Sequence, residues 1–510
     1  MIGLLHQAMP MHPVWPSLIA SLTLAVTPLG AYAAPGSTAL DLNLPSLGTT
    51  AGAELSPADE YALGKQLMQQ VRADPTYMND PEVTEYLNRI GYQLVSHATT
   101  HTYNFFFFPI RDASLNAFAL PGGFIAVHSG TVISAKTESE LAGVMSHEIG
   151  HVAQRHIARM IEGQKGNLAL TLGSLLLAIL AARAGGNSGG HAAAAVAMGS
   201  QAAMIQSQLN YSQDAEREAD RVGLRTLYAA GFDPNGMGSF FARLQANNRF
   251  YESAAPAYLS THPLTVERMA DVENRTQQLP TRMHRDSDDF LLVQQRLRVL
   301  QETRYDGWRE VEKNLLRELN ETSGKERAAR WYGLSVAYQE LKDRAKALSY
   351  AKRASEVFPK NATVERNLLR TSFEATDSRK EKEAVLARAK KAMERYPLSP
   401  MMSSNYLDML YELGRHEEIV RFLRSGSSAI SENNPDYHAL LARSYEALGK
   451  RSLQFQHTGE MYALLGATEA AVYQYDLAQR ASDGDFYTMS EIDARLRELR
   501  EELKYEKERR

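Results

Sequence analysis

Apolar residues recur at helical spacing over most of this chain. One such helix is predicted to begin at Thr137, with Glu140 completing a capping box, and no proline interrupts it before His156. Its apolar face consists of Leu141, Val144, Met145 and Val152. A second capped helix is predicted to begin at Ser56, which Pro57 follows.

Strand signals are confined to a short region before Thr137. Residues 103–109 are rich in aromatic side chains and predict a strand. Residues 116–120 and 124–128 flank Pro121-Gly122-Gly123, which predicts a strand, a turn and a strand. The chain therefore combines a small β-element with many helices.

From about residue 290 the pattern is helix after helix, and one window fits a tetratricopeptide register, with Ser335 in place of the usual glycine. The matching positions are Trp331, Leu334, Tyr338, Ala347, Ala354 and Pro359. Ala392 and Pro397 repeat the spacing of Ala354 and Pro359, and two later degenerate repeats are marked by Leu410 with Gly414 and by Tyr445 with Gly449. About four units are predicted between residues 305 and 470, stacked into an α-solenoid that binds protein on its concave surface. The alternative is a helical domain without repeats that only supports the rest of the molecule.

The most specific chemical signal is the motif His147-Glu148-Ile149-Gly150-His151 within the helix that follows Thr137. Histidines four residues apart lie on one helix face and can bind a single metal ion. Glu148 then stands where it can hold and deprotonate an attacking water. This H-E-x-x-H pattern is typical of zinc-dependent peptidases.

A third zinc ligand is expected from residues 211–220. Glu216 and Asp220 are four apart and share a helix face, so Glu216 is predicted to bind zinc and Asp220 to orient a ligand histidine. Glu218 points to roughly the opposite side and fits a solvated helix surface. The metzincin pattern is not met, because Gln154 and Ile157 occupy its glycine and histidine positions. His156 is predicted to lie at the surface or behind a ligand.

Composition narrows the choice of partners and ligands. The 510 residues carry a net charge of −4, which gives no signal for nucleic acid, and a chain of this length suggests two or more domains. There is no cysteine, so any zinc must use histidine and carboxylate ligands, with one Zn²⁺ expected per chain.

The N-terminal residues predict export. An apolar run at 17–31 is followed by Ala31-Tyr32-Ala33, a small-x-small cleavage pattern, so residues 1–33 are predicted to be a signal peptide, although residues 1–16 lack lysine and arginine. Residues 34–54 are predicted to be a linker. The expected location is the periplasm.

An unusually apolar segment lies between the two metal motifs. Residues 168–182 are almost wholly apolar, a glycine-rich turn follows at 185–190, and residues 192–203 are rich in alanine. Fifteen residues are short for a bilayer span of about 20 residues. Three interpretations stay open for 168–203: a buried hairpin, a lid over the site, or peripheral contact with a membrane.

Together, residues 147–156, residues 211–220 and Ser260-Thr261-His262-Pro263 resemble the gluzincin family of the CaaX prenyl protease and the HtpX heat-shock protease. The leader and the helical repeats are similar to those of a periplasmic branch of that family. The resemblance implies a mainly α fold: a helical zincin-type metallopeptidase domain with a small β-element at 55–285, followed by tetratricopeptide-like repeats at 286–480. A charged C-terminal helix is expected at 481–510, and the charges from Ile492 to Arg510 predict that it is solvated.

The resemblance also implies a function. It is quality control of outer-membrane β-barrel proteins, by assisting assembly and degrading stalled ones, with the repeats docking clients or the assembly machinery. It places His262 near the metal, either as a fourth ligand in a latched state or as an ordinary loop histidine. Arg268 follows on the next helix and could bind substrate or hold the fold.

Two further questions stay open at this point. An edge strand at residues 116–120, with Asn116, Ala117 and Phe118, could take up an unfolded substrate by β-addition, or the hairpin could be purely structural. The main alternative to a zinc endopeptidase is a chaperone or scaffold whose zinc site is latched or vestigial. A membrane-embedded prenyl-protein protease would need several long spans, which the chain lacks.

Overall fold

The computed structural model describes residues 55–99, 103–163, 213–250, 258–259 and 262–508. The predicted signal peptide and linker, residues 1–54, and the apolar segment at 168–203 lie outside the described residues. All described residues belong to one compact unit that begins at Gly48. Within these ranges no helix is both long and apolar enough to cross a membrane.

The described chain is mainly α, as predicted. The helices of its first part are α1 (Pro57–Ala73), α2 (Pro81–Val95), α3 (Ser129–Ser134), α4 (Glu138–Ala153), α5 (His156–Gly163), α6 (Gln213–Ala229), α7 (Asn235–Phe250) and α8 (Val266–Gln278). Those of its second part are α9 (Asp288–Leu300), α10 (Tyr305–Glu318), α11 (Gly324–Glu340), α12 (Arg344–Val357), α13 (Ala362–Glu374), α14 (Arg379–Arg395), α15 (Pro400–Glu412), α16 (His416–Arg424), α17 (Pro435–Ala447), α18 (Arg451–Leu464), α19 (Thr468–Ala481) and α20 (Phe486–Glu508).

The β-element is a three-stranded sheet of β1 (Phe106–Ile110), β2 (Ala117–Leu120) and β3 (Phe124–His128) in the order β1-β3-β2. β3 pairs with β1 in parallel and with β2 in antiparallel, so the predicted strand–turn–strand is confirmed. β1 begins at Phe106, three residues later than the sequence predicts. Gly122 and Gly123 turn the chain at φ values of 77° and 93°, a region that favours glycine.

The two faces of the sheet belong to two cores, because successive side chains along a strand point to opposite sides. Phe107 and Ile125 face the main core, which α2 and α4 also line. Phe108 and Phe124 face the other way and pack on α1. The aromatic run thus secures a sheet that is covered on both sides, with β2 left at its edge.

Helix α4 runs through the interior, and residues 138–152 are all buried. The Thr137 side chain accepts a hydrogen bond from the Glu140 N–H at 3.2 Å, as a cap should. The reciprocal half of the predicted capping box is wrong. The Glu140 carboxylate instead accepts from the Lys136 N–H at 2.7 Å and pairs with Arg243, because that cation approaches from α7.

From α11 onward the second part consists of helix pairs joined by short turns: α11–α12, α13–α14, α15–α16, α17–α18 and α19–α20. Most residues of the predicted register are buried where the helices meet, and Ser335 donates a hydrogen bond to the Ala347 carbonyl of the paired helix at 2.9 Å. Gly414 and Gly449 close α15 and α17 at φ values of 69° and 70°. Stacked helix pairs fit an α-solenoid, while the tetratricopeptide assignment stays a prediction.

Helix α9 connects the two parts through both of its faces. Phe290 and Val293 join the core of the first part, whereas Leu292 and Val299 join the core of α11 and its neighbours. The predicted domain boundary, between residues 285 and 286, lies just before α9, a helix that is buried by both parts.

The C-terminal helix was expected to be solvated, and this expectation is wrong for one face of α20. Ile492, Leu496 and Leu499 are buried against α19. Their spacing of four and three residues forms a narrow apolar stripe within an otherwise charged sequence. The charged composition concealed this stripe from the sequence prediction.

Candidate metal centre

Four side chains from three segments converge in the interior of the first part. His147 and His151 come from α4, Glu216 from the first turn of α6, and His262 from the residues before α8. One potential ligand atom from each lies within 4.8 Å of the other three, and all four residues are buried. Among the described residues this is the one cluster of its kind.

The distances within the cluster suit a single metal ion. The Nε2 atoms of His147 and His151 are 3.0 Å apart, and the Glu216 carboxylate oxygens lie 3.5 Å and 3.3 Å from them. Two nitrogens bound to one tetrahedral zinc at about 2.0–2.1 Å stand about 3.3 Å from each other. Two imidazole nitrogens and a carboxylate, with no thiolate, are an established donor set for a catalytic zinc. The residues therefore fit the metal that the sequence predicts.

Close helix packing sets this geometry. A Cβ atom on Gly150 of α4 would lie 2.8 Å from the Ala219 carbonyl oxygen of α6, and one on Gly223 would lie 2.9 Å from the Ser146 carbonyl oxygen. The two helices can approach this closely because glycine stands at both contacts.

Asp220 and Arg268 support His147 from behind. The His147 Nδ1 lies 2.9 Å from an Asp220 oxygen. Arg268 donates two hydrogen bonds to the Asp220 carboxylate, at 2.7 Å and 2.8 Å, and its Nη1 lies 2.6 Å from Glu216. Arg268 is 1% exposed, and besides these two carboxylates it donates a hydrogen bond to the Pro263 carbonyl at 2.7 Å and lies over the Phe241 ring.

Behind His151 the arrangement is different. The His151 Nδ1 lies 2.9 Å from the Nδ1 of His156, whose Nε2 lies 3.1 Å from Glu218. Glu218 is 6% exposed, and Arg159 also donates to it at 2.8 Å. The expectation that Glu218 is solvated is wrong, because α5 covers that side of α6.

Glu148 lies beside the cluster on the same helix. The Oε1 of Glu148 is 3.6 Å from the His262 Nε2, and the backbone N–H of Ala119 in β2 faces the Glu148 carboxylate as a hydrogen-bond donor. Burial raises the pKa of Glu148, and the neighbouring histidines only partly offset this effect. A buried carboxyl with a raised pKa can both accept and release a proton.

The electrostatic environment shifts the pKa values of the two α4 histidines, His147 and His151, in opposite directions. Burial works to lower the pKa of His147, but hydrogen bonds and charges from Asp220 and Glu216 outweigh it and raise that pKa to about 9. Burial holds the pKa of His151 well below its usual value. The carboxylates thus concentrate negative charge at His147, where a cation would be favoured.

The residues predicted to bind substrate lie at the outer edge of β2, where no other described strand pairs with the sheet. Asn116, Ala117 and Phe118 are buried at 6%, 0% and 7% exposure, and Asn116 immediately precedes β2. β2 is an edge strand, and its Ala119 contacts Glu148. The edge strand therefore lies next to the cluster.

Sequence reasoning missed one residue of the site and left another unassigned. The Tyr258 ring stacks on His262 with centroids 4.6 Å apart and is fully buried. Tyr258 stands four residues before His262, and its carbonyl accepts a hydrogen bond from the His262 N–H at 2.8 Å. That i, i+4 spacing was available as a signal. Arg268, left unassigned, carried no such signal because its partners lie on another helix.

Comparison with known proteins agrees with this geometry. The family model of peptidase family M48 matches residues 81–276. The chain is 31% identical to the "Beta-barrel assembly-enhancing protease" of Escherichia coli O157:H7 over 489 residues, which cover 95% of this chain and 96% of that protein.

Two further relatives cover less of the chain. The "Putative beta-barrel assembly-enhancing protease" of Vibrio cholerae is 44% identical over 243 residues, 47% of this chain and 48% of that protein. The "Metalloprotease LoiP" of Escherichia coli K12 is 29% identical over 225 residues, 43% of this chain and 82% of that protein. With its buried histidine–carboxylate cluster, the chain therefore belongs to peptidase family M48, in the branch of the β-barrel assembly-enhancing proteases, and is a metallopeptidase.

Proposed function

We propose that this chain is a zinc-dependent endopeptidase in which His147, His151 and Glu216 hold one zinc ion. The observation that carries the proposal is the buried convergence of these three side chains within 3.5 Å of one another. A zinc ion bound there would polarise the scissile carbonyl and bring the pKa of a water towards about 7. Asp220 would orient His147 through its second ring nitrogen.

Glu148 is proposed as the general base and acid. Its carboxylate would accept a proton from the attacking water and deliver it to the leaving amine. The raised pKa supports this role, since it strengthens the carboxylate as the base that takes the proton from water. The Ala119 N–H orients the carboxylate and places it beside the edge strand.

The substrate is proposed to be a protein segment in extended form. No other described strand pairs with the outer edge of β2, so such a segment, running past Asn116, Ala117 and Phe118, would add there as a strand. Main-chain hydrogen bonds of this kind tolerate many sequences, which suits a peptidase that acts on unfolded clients.

Residue His262 supports a latched resting state. Its Nδ1 lies 3.0 Å from Glu216 and its Nε2 lies 3.6 Å from Glu148, so the ring stands between ligand and base. A ring in this place would occupy the fourth metal position and keep water out. This contact is also what favours the second candidate, a chaperone whose peptidase is normally latched.

The biological role is proposed to be quality control of outer-membrane β-barrel proteins in the periplasm, after export by a cleaved signal peptide. The names of relatives that match 95% of the chain support it. Unfolded or misassembled proteins would be the substrates. The tetratricopeptide-like repeats would dock them or the barrel-assembly machinery, and residues 168–203 could add a peripheral membrane contact.

The test is digestion of an unfolded protein such as casein by the native chain and by Glu148→Gln, with the zinc content of both verified. Loss of proton transfer should slow cleavage by about 10²–10⁴-fold. Aggregation of a denatured client should be suppressed equally by both proteins if a chaperone activity exists. Equal cleavage by both proteins would refute the mechanism.

A further inference from the structure

The group behind His151 is not a carboxylate but a second imidazole. His151, His156 and Glu218 form a line of contacts at 2.9 Å and 3.1 Å, which Arg159 ends at 2.8 Å. The side chains of His151, His156 and Glu218 are 0%, 1% and 8% exposed. The line therefore runs through the interior.

When His151 binds a metal through Nε2, only one placement of the ring protons lets every contact between His151, His156 and Glu218 be a hydrogen bond. A neutral His151 must then carry its proton on Nδ1, so the facing Nδ1 of His156 must accept it. The proton of His156 consequently sits on Nε2 and is donated to the Glu218 carboxylate. Arg159 balances that carboxylate's charge.

The chain is bent to make this contact possible. Arg155, between α4 and α5, adopts a φ of 54°, which is uncommon for a residue with a side chain. Its guanidinium binds Glu60 at 2.7 Å and also the Leu55 carbonyl. These contacts with the start of α1 hold a turn that returns His156 beneath His151.

The two ligand histidines are thus supported unequally. His147 faces the Asp220–Arg268 pair directly, whereas His151 reaches the Glu218–Arg159 pair through an inserted ring. Glu216, Glu218 and Asp220 stand at every second position along the start of α6. This one helix therefore supplies the carboxylate ligand Glu216 and two supporting carboxylates, Asp220 on the side of His147 and Glu218 on the side of His151.

We propose that His156 and Glu218 are positioning residues that fix the ring orientation and tautomer of His151. This inference rests on the proposed zinc site. Loss of such supporting contacts typically weakens metal binding by about 10–100-fold. Neither residue belongs to the cluster of potential ligands, so each would act through His151.

The test measures zinc affinity of the full chain by competition with a chelator, together with the absorption spectrum of the Co²⁺-substituted protein. His156→Ala and Glu218→Gln should each bind zinc about 10–100-fold more weakly and shift the Co²⁺ bands. Asp214→Asn on the same helix removes an exposed ion pair with Arg217 and should change neither, which makes it the matched control.

Two amide substitutions separate the halves of the line. His156→Asn places an oxygen where the ring had Nδ1 and keeps an acceptor for His151, whereas His156→Gln keeps only a donor near Glu218. His156→Asn should therefore retain more zinc affinity than His156→Gln. If His156 had a purely structural role, both variants would have a lower melting temperature without metal, and His156→Asn would not retain more zinc affinity than His156→Gln.

The outcomes distinguish this inference from the function on which it rests. If the native chain binds zinc and both His156→Ala and Glu218→Gln bind it within twofold of native, the inference is overturned. If the native chain fails to bind zinc, the proposed function falls and takes the inference with it. Weakened binding by both variants, with unchanged Asp214→Asn, supports the inference.

Discussion

At the scale of single residues, the site is a set of imidazole rings, and two of them are held at both ring nitrogens. Carboxylates hold the rear nitrogens of His147 and, through His156, of His151, while the front nitrogens meet 3.0 Å apart. His262 adds a third ring on a separate segment. Because His262 reaches the cluster from a segment other than α4 and α6, it is the residue to test for latching.

His262→Ala is predicted to speed digestion of an unfolded protein without loss of zinc. If the latched form holds about nine-tenths of the molecules, its removal should raise the rate about tenfold. Initial rates of peptide-bond cleavage measure this, with His97→Ala as the control at an exposed histidine. A rate that falls would show that His262 assists the reaction instead of blocking it.

The sequence predicts individual residues well where they share one helix. His147, His151 and Glu148 follow from helical spacing, as does the pairing of Glu216 with Asp220. It fails for Glu218, Arg268 and Tyr258, because their contacts cross between segments far apart in the chain. Periodicity places a side chain on a face but does not say what covers that face.

At the scale of elements, the metal centre depends on the approach of α4 and α6. Gly150 and Gly223 each leave less than 3.0 Å between a built Cβ and the backbone of the other helix. This spacing brings Glu216 and Asp220 within reach of His147. Any side chain at these contacts must separate the helices.

Gly223→Ala is predicted to destabilise the fold by about 1–3 kcal/mol, since its methyl would overlap Ser146 and His147. Zinc affinity should fall as well. Urea unfolding measures the stability, and Gly238→Ala in α7 is the control, because nothing lies within 4 Å of its added Cβ. That control should gain about 0.5–1 kcal/mol. Equal stability of Gly223→Ala and native would contradict the close contact.

Elements were predicted unevenly for a physical reason. The hairpin of β2 and β3 and the capped starts at Ser56 and Thr137 depend on local turn chemistry, which the sequence carries. The buried face of α20 was missed because three apolar residues among many charges give a weak helical signal. Its burial depends on α19, which covers the stripe.

At the scale of the whole molecule, buried charges join the first part to the helical pairs. Arg296 of α9 binds Asp80 at 2.9 Å and 2.6 Å, and Arg366 of α13 binds Glu82 of α2 at 3.0 Å. Tyr332 of α11 also donates to Glu82. Such a network orients one part against the other more than it stabilises them, because its charges lose their hydration.

Stability is predicted to depend on Asp80 in acid. Burial alone would raise the pKa of Asp80, but Arg296 outweighs it and lowers that pKa to about 2. The unfolded value is about 3.9, so Asp80 contributes about 2–3 kcal/mol above that pH. The contribution is lost as pH falls through about 2, and about half remains at pH 3.

Urea unfolding of native and Asp80→Asn between pH 6 and pH 3 tests this. The gap in unfolding free energy between the two proteins should narrow as pH falls. Asp306→Asn, which removes an exposed pair with Arg304, should show a small gap at every pH. A gap that stays constant for Asp80→Asn would show that Arg296 does not lower the pKa of Asp80.

The central claim is that one zinc ion at His147, His151 and Glu216 performs peptide hydrolysis with Glu148. Titration of zinc into the metal-free chain, with digestion of an unfolded protein as the readout, tests it most directly. The account predicts no cleavage without metal and a linear rise that stops at one equivalent per chain. Cleavage that persists in the metal-free chain, or that needs more than one equivalent, would contradict it.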